Sequence, residues 1–313
     1  MPRAAVPFPP LMGLLVLLAA SGLLIAFAGT WQLVRGTDRP GGRGVAWCIA
    51  NDRPCDPEDL GLPADRWRDR VFRLSRGEQT RGYEIDGGDP DGPLVLVVHG
   101  HSAGRHHAMA TLACAVPVAS RVAAFDLPGH GSVQKLFSRQ GLREPEDVAV
   151  VLGQLLAERP AGTPAPPVVL LGYSMGAQIS LAAAAGPLRG QLAGVVLLAV
   201  YRYHGEPIRA FLREHGLPWW PFQPLGDLFT AVRTRGASRF DRVEAAADVD
   251  CPALLLSFRD DPLCPLASAE AIAAAIPHAR LEVFDGVDHT DFHLREPQRY
   301  TSLVQDFLRS HRP

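Results

Sequence analysis

The sequence predicts an α/β fold: one doubly wound, mostly parallel sheet with helices on both faces. Three observations carry that expectation. Short continuous apolar runs recur at residues 94–98 (LVLVV), 122–125, 168–171, 195–200, 253–258 and 281–284. Runs without polar alternation suit strands covered on both faces, as in parallel sheets. Helical patterns fall between them, at 145–158, 175–185, 266–275 and 297–310, and such alternation implies right-handed crossovers within one sheet. The run at 168–171 passes straight into Gly172-Tyr173-Ser174-Met175-Gly176, a serine between two glycines at a strand-to-helix turn.

The elements follow in order. Residues 11–28 (LMGLLVLLAASGLLIAFA) carry no charge and lie between Arg3 and Arg35. That length reaches the lower end of a transmembrane helix. Ala26-Phe27-Ala28 also closes the run as a signal-peptide cleavage site would, and a buried core helix is a third reading. The segment 1–30 is therefore expected to be a membrane anchor or signal segment, with the single-pass anchor preferred. Arg35, Arg39 and Arg43 outnumber Arg3, which favours a cytoplasmic body. The Ala-x-Ala end and the neighbouring Cys48 and Cys55 favour an extracytoplasmic one, and that side is adopted. A disulfide between those two cysteines and two separate thiols are both open; five cysteines in all rule out a fully paired framework.

Residues 31–66, rich in Gly, Pro, Arg and Asp, read as linker and irregular lead-in. The folded domain is expected at 67–313, starting with short strands at 71–74 and 83–85. The helix at 145–158 has Pro145 in its first turn followed by Glu146 and Asp147, as helix starts favour. Residues 201–248 contain no clear strand and read as a helical, lid-like insertion over one sheet edge. Its Pro-Trp-Trp-Pro-Phe stretch, 218–222, fits either packing onto the sheet domain or contact with acyl chains and lipid. A net charge of −2 offers no case for nucleic acid.

A chain with 30 glycines yields the Gly-x-Ser-x-Gly pattern about 0.12 times by chance, so Ser174 depends on its context. In an open α/β sheet, functional residues gather beyond the carboxyl ends of the strands. Four strand ends carry suitable chemistry. Ser174 is placed to act as nucleophile on a tight turn, with the next helix aiming its N–H groups at the site. The loop His99-Gly100-His101-Ser102 can supply a backbone donor, placed at His101, to pair with Met175 in an oxyanion hole. Asp260 or Asp261 can orient an imidazole. His289, just past the last run, can serve as the base. The order Ser, Asp, His along the chain matches one known arrangement of such triads.

From about residue 71 onward the chain resembles the α/β-hydrolase superfamily in "VVHGHSAGRHH", "FDLPGHG", "LLGYSMGAQISLAAA", "PALLLSFRDDPLCP" and "FDGVDH". The lead-in "DPEDLGLPADRWRDRVF" is similar to that of bacterial membrane-anchored hydrolases of the Bem46-like group, which carry one N-terminal hydrophobic helix. The resemblance implies an α/β-hydrolase fold with the lid-like insertion and a catalytic set of Ser174, Asp261 and His289. The family's acid lies four residues before a proline, here Pro265, which selects Asp261 over Asp260. Ser257-Phe258 departs from the His-Gly that often precedes the acid loop.

The implied reaction is hydrolysis of carboxylic esters or thioesters through an acyl-enzyme, on a small-molecule or lipid-like acyl substrate. Amide hydrolysis or acyl transfer by the same triad is the alternative; a catalytically idle, membrane-tethered binding module is the alternative of another class. No cofactor or metal is expected. His99, His101, His106 and His107 invite a metal reading, but no thiolate or carboxylate stands among them at ligand spacing. His130 and Asp126 are expected to brace loops. His293 is a rival to His289, and Asp285, Asp288 and Asp291 lie too near His289 in sequence to orient it.

Overall fold

The computed structural model describes residues 10–40, 43–159, 162–234, 236, 240–289 and 295–312. Its strands are β1 (Trp67–Arg73), β2 (Gln79–Asp86), β3 (Leu94–Val98), β4 (Arg121–Phe125), β5 (Val168–Tyr173), β6 (Gly194–Leu198), β7 (Ala253–Phe258) and β8 (Ala279–Phe284). They form one sheet in the order β1-β2-β4-β3-β5-β6-β7-β8. β2 runs against its neighbours β1 and β4, and every other pairing is parallel.

Every residue of β3, β5, β6 and β7 is buried, which is why these strands read as unbroken apolar runs. β1 and β2 are longer than the sequence suggested. β1 is an edge strand, largely solvent-facing, and its Arg68, Asp69 and Arg70 carry no apolar signal.

The helices are α1 (Pro10–Asp38), α2 (Val45–Ala50), α3 (Met109–Leu112), α4 (Pro145–Ala157), α5 (Met175–Ala185), α6 (Gly205–Glu214), α7 (Trp219–Thr234), α8 (Arg242–Ala246), α9 (Leu266–Ala275) and α10 (Pro297–Arg309). Apolar residues of α4, α5, α8 and α9 form a core on one face of the sheet. Those of α3 and α10 cover the other. The sheet is thus doubly wound, as expected.

Two regions differ from the sequence reading. The first is α1, which does not stop where its apolar run ends but continues to Asp38, through residues expected to be linker. Adding a turn to a formed helix costs little, and this turn finds partners. Ala26, Thr30, Val34 and Asp38, four residues apart on one helix face, are all buried. Phe27 meets the Phe229 ring of α7 edge-on at 5.2 Å. Among the described residues, 12–38 is the one helix long and apolar enough to cross a membrane, with a mean hydropathy of 2.3. Only 6% of its apolar window is buried, which excludes the core-helix reading.

The second region is 201–248. Its described residues contain no strand, but only α6 and α7 stand off as a cap. α8 returns to the sheet, where Ala245 and Ala246 join the core beside α5. Ser268 at the start of α9 donates to Glu206 of α6 at 3.0 Å and ties the cap to the sheet layer.

Candidate active site

β5 ends at Tyr173 and α5 begins at Met175, so Ser174 alone makes the turn. Its φ of 55° and ψ of −116° lie in a region that residues with a Cβ avoid. The strain is held by the Ser174 N–H, which donates to Leu198 O of β6 at 2.8 Å. The flanking glycines serve close approach. A Cβ on Gly176 would sit 1.9 Å from Val98 O, and one on Gly172 would sit 2.4 Å from Gly176 O. Gly176→Ala must therefore push α5 away from β3. We expect it to cost about 3 kcal/mol or more and to lower the melting temperature by about 10 °C in a thermal scan.

Strand register gathers the other residues. Val98 pairs with Gly172, so the loop after β3 lies beside the elbow. Phe258 pairs with Phe284, so the loops after β7 and β8 are neighbours. His289 Nε2 lies 3.0 Å from Ser174 Oγ. His289 Nδ1 lies 2.7 Å from Asp261 Oδ2. Asp261 Oδ1 accepts the N–H groups of Leu263 and Cys264 at 2.8 and 3.0 Å, so this carboxylate is held from both sides. Asp260 instead accepts from Gly286 N–H, and Asp285 pairs with Arg259. Asp291 and His293 lie outside the described residues.

Among the described residues, neither the His101 nor the Met175 N–H donates to another protein group. Both lie in the loop and turn that follow β3 and β5 at the elbow. Ser102, next to His101, also has a positive φ, of 56°.

The histidines after β3 hold loops together. His99 Nε2 accepts Leu127 N–H at 2.9 Å, which puts its proton on Nδ1, facing Gly100 O. His130 packs edge-on to His99 at 5.1 Å and to His101 at 5.6 Å. Burial pushes all three pKa values down, so the rings are held neutral. Asp126 braces the neighbouring loop, accepting from Arg105 N and Ser132 N at 2.7 and 2.8 Å. Among the described residues, the cluster with three possible metal donors is instead Asp261, Cys264 and His289, within 4.8 Å of one another. Two of those donors are already bonded to each other. Cys48 and Cys55 are free, buried thiols in hydrogen-bond contact.

Three features of the site escaped the sequence. Tyr173 donates its hydroxyl to His289 O, and its ring lies against the imidazole at 5.3 Å. Burial raises that phenol well above its ordinary pKa, so it stays a donor. Cys264 lies beside Ser174 and Asp261, its thiol kept protonated by burial. The end of α1 is bolted to the site: His101 Nε2–H donates to Thr37 O at 3.0 Å, and Ser138 N–H to Asp38 O at 2.9 Å. Gln140 Nε2 reaches Thr37 Oγ1 at 2.9 Å. No local pattern encodes contacts 64 or more residues apart. A separate cavity of about 410 Å³, lined by Asp38, Lys135, Arg139 and Thr234 among others, does not include Ser174, Asp261 or His289.

This strand order, with a serine on the turn after β5, defines the α/β-hydrolase fold. Residues 95–303 match the model of the "Alpha/beta hydrolase family", and the chain belongs to that family. It is 35% identical over 114 residues to "Protein phosphatase methylesterase 1" of Mus musculus, covering 35% of this chain and 28% of that protein. The chain thus spans under a third of the length of that relative. A longer match is "Uncharacterized protein YqkD" of Bacillus subtilis, 23% identical over 76% of this chain and 78% of that one. Among solved structures, the Pyrococcus furiosus esterase Pf2001 superposes with a TM-score of 0.65 at 19% identity, covering 82% of this chain and 95% of that one. These similarities show the superfamily and do not single out the Bem46-like group within it.

Proposed function

We propose that this protein is a serine hydrolase, held to a membrane by α1, that cleaves carboxylic esters or thioesters through an acyl-enzyme. The observation that carries the reading is the hydrogen-bonded line from Ser174 Oγ through His289 to Asp261. His289 Nε2 takes the serine proton as Oγ attacks the carbonyl. The oxyanion forms against the N–H groups of Met175 and His101. Asp261 holds the proton on His289 Nδ1 and stabilises the imidazolium. His289 then protonates the leaving alcohol or thiol, and water, deprotonated by the same nitrogen, releases the acid. The chemistry uses side chains and backbone donors throughout.

The full chain in detergent is the species to assay. A body starting at Arg35 would lose the buried Val34 and the buried Thr30, whose methyl lies against Gly226 of α7. Assayed on p-nitrophenyl esters of graded length, it is expected to turn over esters with kcat/KM rising with acyl length. Folded protein that hydrolyses none of them, and takes no fluorophosphonate label, would refute the hydrolase reading in favour of a binding module. Faster turnover of amides than of matched esters would move the substrate class.

A further inference from the structure

Contacts between α1 and the cap set the depth of one against the other. Phe222 meets Gly29: a Cβ there would lie 3.0 Å from its ring. A Cβ on Gly226 would lie 3.9 Å from Thr30 Cγ2. Phe229 packs on both Phe27 and Trp31, and Thr234 shares a cavity wall with Asp38. These contacts seat the start of α7 on α1 at Gly29, the residue after its apolar run. The first residues of α7 therefore lie close to the end of the apolar half of α1. In that half, residues 14–25 are exposed, mostly apolar and free of charge. Among the described residues of α1, burial begins at Ala26.

The level at which Trp219 and Trp220 stand follows from this. Phe222 is opposite Gly29, one residue beyond the apolar run, and Trp219 and Trp220 precede it. Backbone angles of φ −99° and ψ 131° at Trp220 make this start extended, not helical. The tryptophans stand within three residues of the Phe222 contact at Gly29, close to the end of the apolar run. They are 58% and 67% exposed, and Leu217 beside them is 45% exposed. Large exposed apolar groups gathered at one tip call for a partner. Trp31 of α1, half exposed at nearly the same height, adds a third ring where aromatic belts sit at membrane surfaces.

We infer that the tip of the cap, residues 217–220, is a membrane-inserting surface that dips into the lipid interface beside α1. The occupant is the bilayer that α1 crosses, because the tip lies beside the end of that helix's exposed apolar stretch. The inference rests on α1 being an anchor. It deepens the proposed reading: the cap meets lipid directly, and the substrate class is a membrane-resident acyl ester entering from that side.

The test uses the full chain in lipid nanodiscs, with and without lipids brominated on the acyl chain. The tip's emission is the difference between wild type and the Trp219→Phe/Trp220→Phe variant, which keeps aromatic bulk. Brominated lipid is expected to quench this difference emission at least twofold, while aqueous iodide leaves it unchanged. Quenching by iodide and not by brominated lipid would overturn the inference. A second variant, Trp219→Asp/Trp220→Asp, is expected to lose about tenfold in turnover of a long-chain ester carried in the disc, with p-nitrophenyl acetate hydrolysis unchanged. Equal turnover of the long-chain ester by this variant and wild type would overturn the link to substrate. The quenching result does not depend on catalysis, so an inactive protein with a quenched tip would sink the ester hydrolase reading alone.

Discussion

Ser174→Ala is expected to lower kcat by about 10⁴-fold or more and to abolish labelling by a fluorophosphonate probe, with the fold intact. The side chain is a hydroxyl whose oxygen lies 3.0 Å from His289 Nε2, so alanine removes the attacking atom and little volume. The backbone at residue 174 remains costly, because alanine tolerates a φ of 55° no better than serine does. Stability should therefore change little while activity collapses. His289→Ala should fall to a similar floor, and the double variant should fall no further, since the two residues act as one unit. Residual turnover would come from the backbone N–H groups of Met175 and His101. Additive losses in the double variant would mean that nucleophile and base act in separate steps, against the proposed mechanism. Unchanged probe labelling in Ser174→Ala would remove the nucleophile assignment outright.

What was legible in the sequence follows from burial. β3, β5, β6 and β7 are covered on both faces, so they are almost wholly apolar and announced themselves. β1 announced only its far end, because an edge strand needs few apolar residues. The elbow was legible because its glycines answer to local crowding: Gly176 has Val98 O where a Cβ would be. The strain itself sits on Ser174, which no composition signal reveals. Tyr173 was invisible as a support for His289, since that bond joins residues 116 apart. The same holds for the end of α1. Its Gly-, Thr- and Asp-containing turn reads as linker by composition, yet Thr37 and Asp38 are fixed by His101, Ser138 and Gln140. Helix there is a tertiary outcome, paid by partners on the far side of the sequence.

Asp261→Asn tests the remaining member, and the structure dictates how it should fail. Asp261 Oδ1 accepts two backbone N–H groups, from Leu263 and Cys264. An asparagine can satisfy those donors only with its carbonyl oxygen, so its amide nitrogen must face His289. That NH₂ is a donor, and it requires His289 Nδ1 to be the acceptor. The imidazole proton then moves to Nε2, the nitrogen that faces Ser174 Oγ. A protonated Nε2 cannot accept the serine proton, and the base is lost although every heavy atom keeps its place. The expected fall in kcat is about 10⁴-fold, with substrate affinity nearly unchanged because no binding group is altered. The opposite orientation, with NH₂ toward Leu263 and Cys264 N–H, would set donors against donors in a buried site and cost about 1–3 kcal/mol for each group left unpaired. Raising the pH should restore part of the lost rate if hydroxide strips the serine proton in place of His289. An Asp261→Asn variant with wild-type kcat would show that Asp261 does not set the tautomer. A variant that loses rate only through a lower melting temperature would make its role structural. Imidazole signals in ¹⁵N spectra separate these cases, since the wild type should carry its proton on Nδ1 and the variant on Nε2.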